Sequence, residues 1–406
     1  LSIIVQKFGG TSVSTPDRRQ MVVDKILSTK KEGHSVVVVV SAMGRKGDPY
    51  ATDTIRNLVI DENPNCSLKN LDLLMSCGEI ISAVTLASLL ELSSHKVVVM
   101  TGAQAGIITD NCFSSAEILS IDENKILSYL EEDYIVVVCG FQGATEKGEI
   151  TTLGRGGSDT TATALGVALG AEQVEIYTDV DGIMTADPNV VPTAKIIDEI
   201  NYSEVFQMAE KGAKVIHPRA VEIAQNGNIL VKIKNTMSNH PGTSIHYYRK
   251  ANENLYSSEG PKKLLTAITH KDHIAQVSII MEDDLQGDSE LLSALTEANI
   301  SIDMINFFIN QKIFVIEENQ TTRIEKLLDK LHLQYRIEKD CSKVTIIGSR
   351  ITGIPGVMAK IVHALAKEGI KILQSSDSHS TISCLVKKKD AIKAVNVLHE
   401  AFGLNQ

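Results

Sequence analysis

Residues 35–41 read Ser35-Val36-Val37-Val38-Val39-Val40-Ser41, five consecutive valines with no polar residue among them. β-Branched side chains favour extended backbone, and a run without polar alternation suits a strand buried on both faces, as the central strands of open α/β sheets are. Outward from this run, further strand candidates lie at 2–7, 96–100, 134–139, 173–178 and 229–233. Amphipathic helix candidates at 16–32, 70–92, 159–169 and 202–211 alternate with them. From residue 1 to about 248 this is the rhythm of a parallel sheet covered by helices, joined by right-handed crossovers. Ligands in such sheets bind beyond the carboxyl ends of strands, so glycine-rich segments that directly follow strands are the places to look.

Residues 249–263 are polar, lack apolar periodicity and close on Gly260-Pro261, and they read as a linker. Beyond them the rhythm becomes strand, helix, strand, strand, helix, and it recurs after roughly 70 residues. One copy carries Ala298-Asn299-Ile300-Ser301-Ile302-Asp303-Met304-Ile305, the other Glu368-Gly369-Ile370-Lys371-Ile372-Leu373-Gln374. In both a helix ends at a turn residue and a β-rich segment begins, as a ferredoxin-like βαββαβ module requires.

A chain of 406 residues suggests two to four domains at the usual ~100–200 residues each. With 43% hydrophobic and 22% charged residues it falls in the folded, globular class. No run approaches the ~20 apolar residues of a membrane span. Leu1-Ser2-Ile3-Ile4-Val5 reaches Gln6-Lys7 too soon for a secretory segment and reads as the first strand. Six cysteines without CxxC pairs point to a reducing cytoplasm and away from zinc. A net charge of −10 argues against nucleic acid as a main partner, yet leaves room for an anionic substrate at a locally positive pocket.

Lys7-Phe8-Gly9-Gly10-Thr11-Ser12 follows the first strand and precedes a helix. Its glycines let backbone amides approach an anion while Lys7 adds charge: a phosphate cradle, or else a tight strand-to-helix turn. It is neither the GxGxxG fingerprint nor the GxxxxGKS/T loop. Thr151-Thr152-Leu153-Gly154-Arg155-Gly156-Gly157-Ser158-Asp159-Thr160-Thr161 precedes an alanine-rich helix that Ser158 or Asp159 is suited to cap. A guanidinium presented by glycines suits bidentate capture of a carboxylate or phosphate; a surface loop is the plainer alternative for Arg155. Thr178-Asp179-Val180-Asp181-Gly182-Ile183 closes a strand with two carboxylates, suited to a metal, to nucleoside hydroxyls, or to an Asp-Gly turn.

Together with Val40-Ser41-Ala42-Met43-Gly44, Cys77-Gly78-Glu79, Gly140-Phe141-Gln142-Gly143, Thr185-Ala186-Asp187-Pro188 and Gly212-Ala213-Lys214-Val215-Ile216-His217-Pro218, these segments resemble aspartate kinases of the amino acid kinase superfamily. Order and spacing match over the full chain, and the tail resembles that family's paired ACT domains. The monofunctional bacterial enzymes feeding the diaminopimelate and lysine pathway are the nearest in pattern. The resemblance implies an α/β fold: an amino acid kinase-like open, mostly parallel sheet sandwiched by helices at 1–248, then two ferredoxin-like βαββαβ ACT modules. One module is expected at 273–340, inserted into a second one interleaved from 264–272 and 341–406. The length leaves no room for a fused homoserine dehydrogenase.

The resemblance further implies a cytoplasmic enzyme that moves the γ-phosphate of ATP to the side-chain carboxylate of L-aspartate. The product would be 4-phospho-L-aspartate, on the way to lysine, threonine and methionine. Lys7 and Lys214 are then expected at the ATP phosphates, with the amides of Gly9, Gly10 and Ser41 assisting. Glu79 and Asp159 would face the α-ammonium of aspartate and Arg155 its α-carboxylate, with Ser41, Thr52 and Ser158 completing that side. Thr178, Asp179 and Asp187 would surround the nucleotide, and Lys7, Lys214 and Asp159 form the catalytic set. His217 is expected to be structural. A carboxylate nucleophile with a pKa near ~3.9 needs no catalytic base, and Mg²⁺ should arrive on the phosphates rather than in a protein cage.

The tail implies feedback inhibition, with lysine the first choice of effector before threonine or diaminopimelate. Asp283, Asp284, Asp303, Asn306, Ser376 and Asp377 are the candidate contacts, in a homodimer or dimer of dimers built through the ACT modules. Two features depart from the family. Met184-Thr185-Ala186-Asp187-Pro188-Asn189 stands where Tyr-Thr-Thr-Asp-Pro-Arg is frequent, and the loop from Arg45 to Asp53 is longer than in some relatives. The competing readings are a glutamate or acetylglutamate kinase, and a catalytically weak amino-acid sensor. Glu79 with Arg155 and the ACT tail count against the first; Lys7, Lys214 and Asp159 count against the second.

Overall fold

The structure, a computed structural model, describes residues 1–213, 215–247, 265–281, 285–348, 351 and 354–405. Two compact units emerge: Leu1–Ile183 with Ile196–Ala209 and Lys214–Leu255, and Met184–Lys195 with Glu210–Ala213 and Tyr256–Gln406.

The first unit opens with β1 (Ile3–Phe8), α1 (Pro16–Lys31), β2 (Ser35–Val40), α2 (Thr52–Ile60) and α3 (Leu68–Glu91). All five valines of β2 are fully buried, each contributing about 1.5–3 kcal/mol of apolar transfer. Val36, Val38 and Val40 pack with Val22, Val23 and Ile26 of α1 and Ala83, Leu86 and Leu90 of α3. The period of two sends Val37 and Val39 to the opposite face.

Next come β3 (Val97–Met100), β4 (Ile107–Thr109), β5 (Ile118–Ile121), α4 (Asn124–Glu131), β6 (Ile135–Cys139), β7 (Gln142–Thr145), β8 (Ile150–Thr152) and α5 (Gly157–Ala168). The unit closes with β9 (Gln173–Thr178), β10 (Glu199–Asn201), α6 (Tyr202–Glu210), α7 (Pro218–Asn226), β11 (Leu230–Asn235) and β12 (Thr243–His246). The main sheet runs β10-β12-β11-β9-β1-β2-β6-β3, and every pair from β11 to β3 is parallel. A smaller sheet has the order β5-β4-β7-β8.

Strand β2 lies on one side of β1 and β9 on the other, so chain order reverses at β1, which is where open α/β sheets form their ligand crevice. Register aligns Phe8 with both Val40 and Tyr177. Gly9 and Ser41 therefore leave the sheet beside Thr178, the last residue of β9.

Among the described residues, helix α3 is the one whose length and composition alone would allow it to cross a membrane. Half of its most apolar stretch is buried inside the unit, and its inner face carries the carboxylates of Asp72 and Glu79, so it serves as a core helix.

The second unit comprises β13 (Ala267–Ile280), α8 (Leu285–Glu297), β14 (Asp303–Phe308), β15 (Gln311–Glu317), α9 (Thr321–Lys330), β16 (Gln334–Ile347), α10 (Val357–Lys367), β17 (Gln374–Asp377), β18 (Thr381–Lys387) and α11 (Lys388–Ala401). Their sheet has the order β14-β15-β13-β16-β18-β17. Strands β13 and β16, of 14 residues each, pair antiparallel along their length, with register breaks between Lys271 and Ile274 and between Ile274 and Gln276. His273 adopts a φ of 60° at the first of these. One part of each long strand serves a core of Val277, Leu291, Phe314 and Leu328. The other serves a core of Ile268, Val344, Ile361 and Leu398. The expected linker at 249–263 lies outside the described residues.

The segment Met184–Lys195, inside the 1–248 span expected of the kinase domain, makes its contacts within this second unit. Ala186 and Val191 are buried in the Val344–Leu398 core. The Ile268 amide donates to the Thr185 carbonyl at 2.8 Å, and the Thr185 hydroxyl pairs with His399 Nε2 at 2.9 Å.

Candidate active site

Alternation along β1 sends Gln6 and Lys7 to opposite faces of the sheet. Gln6 Nε2 donates to Thr29 of α1 and to Glu175 of β9, both at 2.8 Å. Lys7, only 9% exposed, turns to α5, where its Nζ lies 2.7 Å from Asp159 Oδ1. Asp159 stands in the first turn of α5, a position that favours negative charge.

The expected cap of α5 is not made by Ser158 or Asp159. Gly156 occupies the N-cap at φ +70° without a side-chain bond, and both residues fall inside the helix. A Cβ on Gly156 would stand 2.3 Å from His217 Cβ, so the turn requires glycine both for its left-handed backbone and for space. Asp159, expected beside Glu79 at the ammonium of aspartate, is thereby left to face Lys7. His217 caps α7 instead, its Nδ1 accepting the Arg219 amide at 3.4 Å, and burial holds its pKa down.

Lys7, Ser41, Thr52, Glu79, Arg155, Ser158 and Asp159 line one cavity of about 610 Å³. Glu79, 2% exposed, accepts the Ala42 amide on Oε1 at 2.9 Å, while Oε2 has no partner among the described residues. Burial pushes its carboxyl up to about 8, the Ala42 bond pulling it part of the way back. Arg155 is exposed on its glycine loop and forms no hydrogen bond or ion pair with a described residue. Asp53 and Arg56 of α2, Ser114 and Phe141 line the cavity too; Phe141 and Asp53 fall in segments singled out from the sequence, but none of the four was given a role there. Spacing from Thr52 to Arg56, one helical turn, is a signal available for Arg56. Ser114 and Phe141 both take a φ of 69°, invisible to sequence patterns.

On the phosphate side, Gly10 packs so closely that a Cβ would stand 2.5 Å from the Ala42 carbonyl oxygen. Of the three expected amides, Ser41 donates to Phe8 O at 3.1 Å and Gly9 to Tyr177 O at 3.4 Å. The Ser41 amide is thus engaged within the sheet edge, and Gly10 is the residue whose amide has no partner among the described residues. Thr178 Oγ1 accepts the Val180 amide at 3.1 Å, and Asp179 pairs with the Arg45 guanidinium. Asp181 serves the turn: Ser238 and Asn235 donate to it at 2.6 and 2.8 Å and hold its carboxyl below the usual range. Asp187, in the second unit, accepts the Asn189 amide at 2.9 Å. Lys214 lies outside the described residues.

Among the effector candidates, Asp283 and Asp284 also lie outside the described residues. Burial works to raise the Asp303 carboxyl, and an ion pair with Lys343 outweighs it, leaving the pKa lowered. Asn306 Oδ1 accepts Gln374 Nε2 at 2.7 Å. Ser376 and Asp377 lie on β17, paired with Ser383 and Ile382.

The amino acid kinase family model matches residues 2–235 and an ACT domain model residues 336–400. Aspartokinase 1 of Bacillus subtilis (strain 168) is 43% identical over 100% of both chains. The aspartokinase of Geobacillus stearothermophilus is 39% identical over 100% of this chain and 98% of its own. The crystal structure of E. coli aspartokinase III in complex with aspartate and ADP (R-state) matches with a TM-score of 0.78 at 27% identity, covering 98% of this chain and 99% of that one. The complex of aspartokinase III with lysine and aspartate (T-state) matches at 0.74 and 27%, covering 99% and 100%. With a family match over more than half of the sequence and full-length identity at this level, the chain belongs to the amino acid kinase family of phosphotransferases, as an aspartokinase with an ACT domain in its C-terminal half.

Proposed function

We propose that the chain transfers the γ-phosphate of ATP, bound as MgATP, to the side-chain carboxylate of L-aspartate, giving 4-phospho-L-aspartate. The observation that carries this reading is the convergence of Lys7, Asp159, Glu79 and Arg155 on one cavity at the carboxyl end of β1. Aspartate bears one ammonium and two carboxylates, and the cavity offers complementary groups at separate places. The unpartnered Oε2 of Glu79 receives the ammonium, Arg155 the α-carboxylate, and the second carboxylate points towards Lys7.

That carboxylate is ionised at neutral pH, with a pKa near ~3.9, so no base has to remove a proton. The obstacle is repulsion between two anions. Lys7, Lys214 and the Gly10 amide offset it as negative charge shifts to the leaving phosphate oxygens. Asp159 holds the Lys7 ammonium in place, and Thr178, Asp179 and Asp187 are assigned to the nucleotide. Mg²⁺ adds positive charge at the phosphates, bound chiefly by their oxygens and water.

The ACT half supports feedback inhibition by a product of the pathway that leads to diaminopimelate, lysine, threonine and methionine. Lysine is the proposed effector, in keeping with its presence in the aspartokinase III complex. The proposed assembly is a homodimer or dimer of dimers through the ACT modules, in the cytoplasm. A hydroxamate assay with ATP and aspartate, glutamate or acetylglutamate tests the acceptor. Aspartate alone should give product, and equal turnover of glutamate refutes the assignment. Titration with lysine should inhibit; no inhibition by lysine refutes the effector.

A further inference from the structure

Asp72 stands seven residues before Glu79 on α3 and is fully buried. Two helical turns separate the pair, so both side chains leave one face of the helix. A carboxylate removed from water is costly unless its oxygens find donors. Those of Asp72 find four. Oδ2 accepts the amides of Ser114 and Thr152, each at 2.8 Å, and Oδ1 accepts the hydroxyls of the same two residues, each at 2.9 Å.

Both partners lead to the loop that carries Arg155. Thr152 ends β8, three residues before it. Ser114 holds a φ of 69°, uncommon for a residue with a side chain, and its carbonyl oxygen would stand 3.1 Å from a Cβ on Gly154. The Ala116 amide joins the two segments by donating to Thr152 O at 2.9 Å, and the Gly157 amide closes the loop on Gly154 O at 3.0 Å. Because Arg155 itself has no partner among the described residues, its direction is set by the loop beneath it.

We infer that Asp72 is a positioning residue which, through Ser114 and Thr152, fixes the loop presenting Arg155. The rigid spacing of Asp72 and Glu79 along α3 then sets the separation between the groups that receive the ammonium and the α-carboxylate of the amino-acid substrate. This rests on the reading that Arg155 binds that carboxylate.

Asp72→Asn keeps the shape but turns one acceptor into a donor facing donors. In the full chain it should raise the KM for aspartate about tenfold, while the KM for ATP stays within about twofold. Introduced into an Arg155→Ala background, it should change the aspartate KM no further, since both act through one group. A uniform loss in both substrates, or full additivity with Arg155→Ala, overturns the inference and leaves Asp72 as a folding residue. If Asp72→Asn does not fold, the Ser114→Ala, Thr152→Val double variant, which keeps the carboxylate, must show the same KM split or the inference fails. An Arg155→Ala chain with wild-type KM for aspartate overturns the assignment of Arg155 itself, and the inference with it.

Discussion

Titrating aspartate binding tests the electrostatics of the cavity most directly. With the Glu79 carboxyl at about 8, the empty enzyme holds this group mostly protonated at pH 7, with roughly one molecule in eleven ionised. The substrate ammonium favours the ionised form, so binding must release the proton. The apparent KM for aspartate should then fall roughly twentyfold between pH 6.5 and 8.5 and level off above about pH 8. The KM for ATP, measured at saturating aspartate, should stay nearly flat and serves as the control. Glu79→Gln should keep the aspartate KM high and remove its slope. A wild-type KM for aspartate that does not change over this range would falsify the ammonium assignment.

The same group makes a stability claim with a definite sign. Its folded pKa of about 8 exceeds the ordinary 4.5, so the folded chain keeps the proton longer than the unfolded one. Glu79 therefore costs nothing below pH 4.5, and its cost grows to about pH 8, where it is on the order of 5 kcal/mol. Glu79→Gln should raise the melting temperature of the empty enzyme at pH 8 while weakening aspartate binding. An unchanged melting temperature refutes the burial cost.

Other substitutions probe separate parts. Lys7→Ala and Lys214→Ala should each lower kcat by at least ~10²-fold, and turnover within a few-fold of wild type removes either from the catalytic set. Gly156→Ala drives a Cβ to 2.3 Å from His217 Cβ at a positive φ, so it should lower the melting temperature and raise the aspartate KM; wild-type values of both would contradict the loop geometry. Burial depresses His399 below its usual 6.5, so the stability it contributes is present above that pH and lost as pH falls below it. Thermal melts from pH 7.5 to 5.5 should show this decline, and His399→Gln should flatten it.

Much of the first unit was legible in the chain. The five-valine run had to be a two-faced strand, because no polar face was available to turn to water. The strand and helix candidates named there fall within two residues of the observed ends, whereas the short elements α2, α4, α7, β4, β5, β7, β8, β10 and β12 carry too few residues for a periodicity to show. The cap of α5 shows where such reading stops. Ser158 and Asp159 have the right chemistry for a cap, but His217, far along the chain, leaves room only for glycine at that turn.

Sequence alone determined the class of fold and the order of the motifs, since both rest on residue types and spacings readable over a few neighbours. Tertiary structure decided which carboxylates matter and how: the raised Glu79, the four donors around Asp72, the internal bonds of Asp181, and the packing of Met184–Lys195 into the second unit's core. Each of these depends on burial and on partners tens to hundreds of residues away, and a charged group's energy is set by that surrounding rather than by its place in the chain.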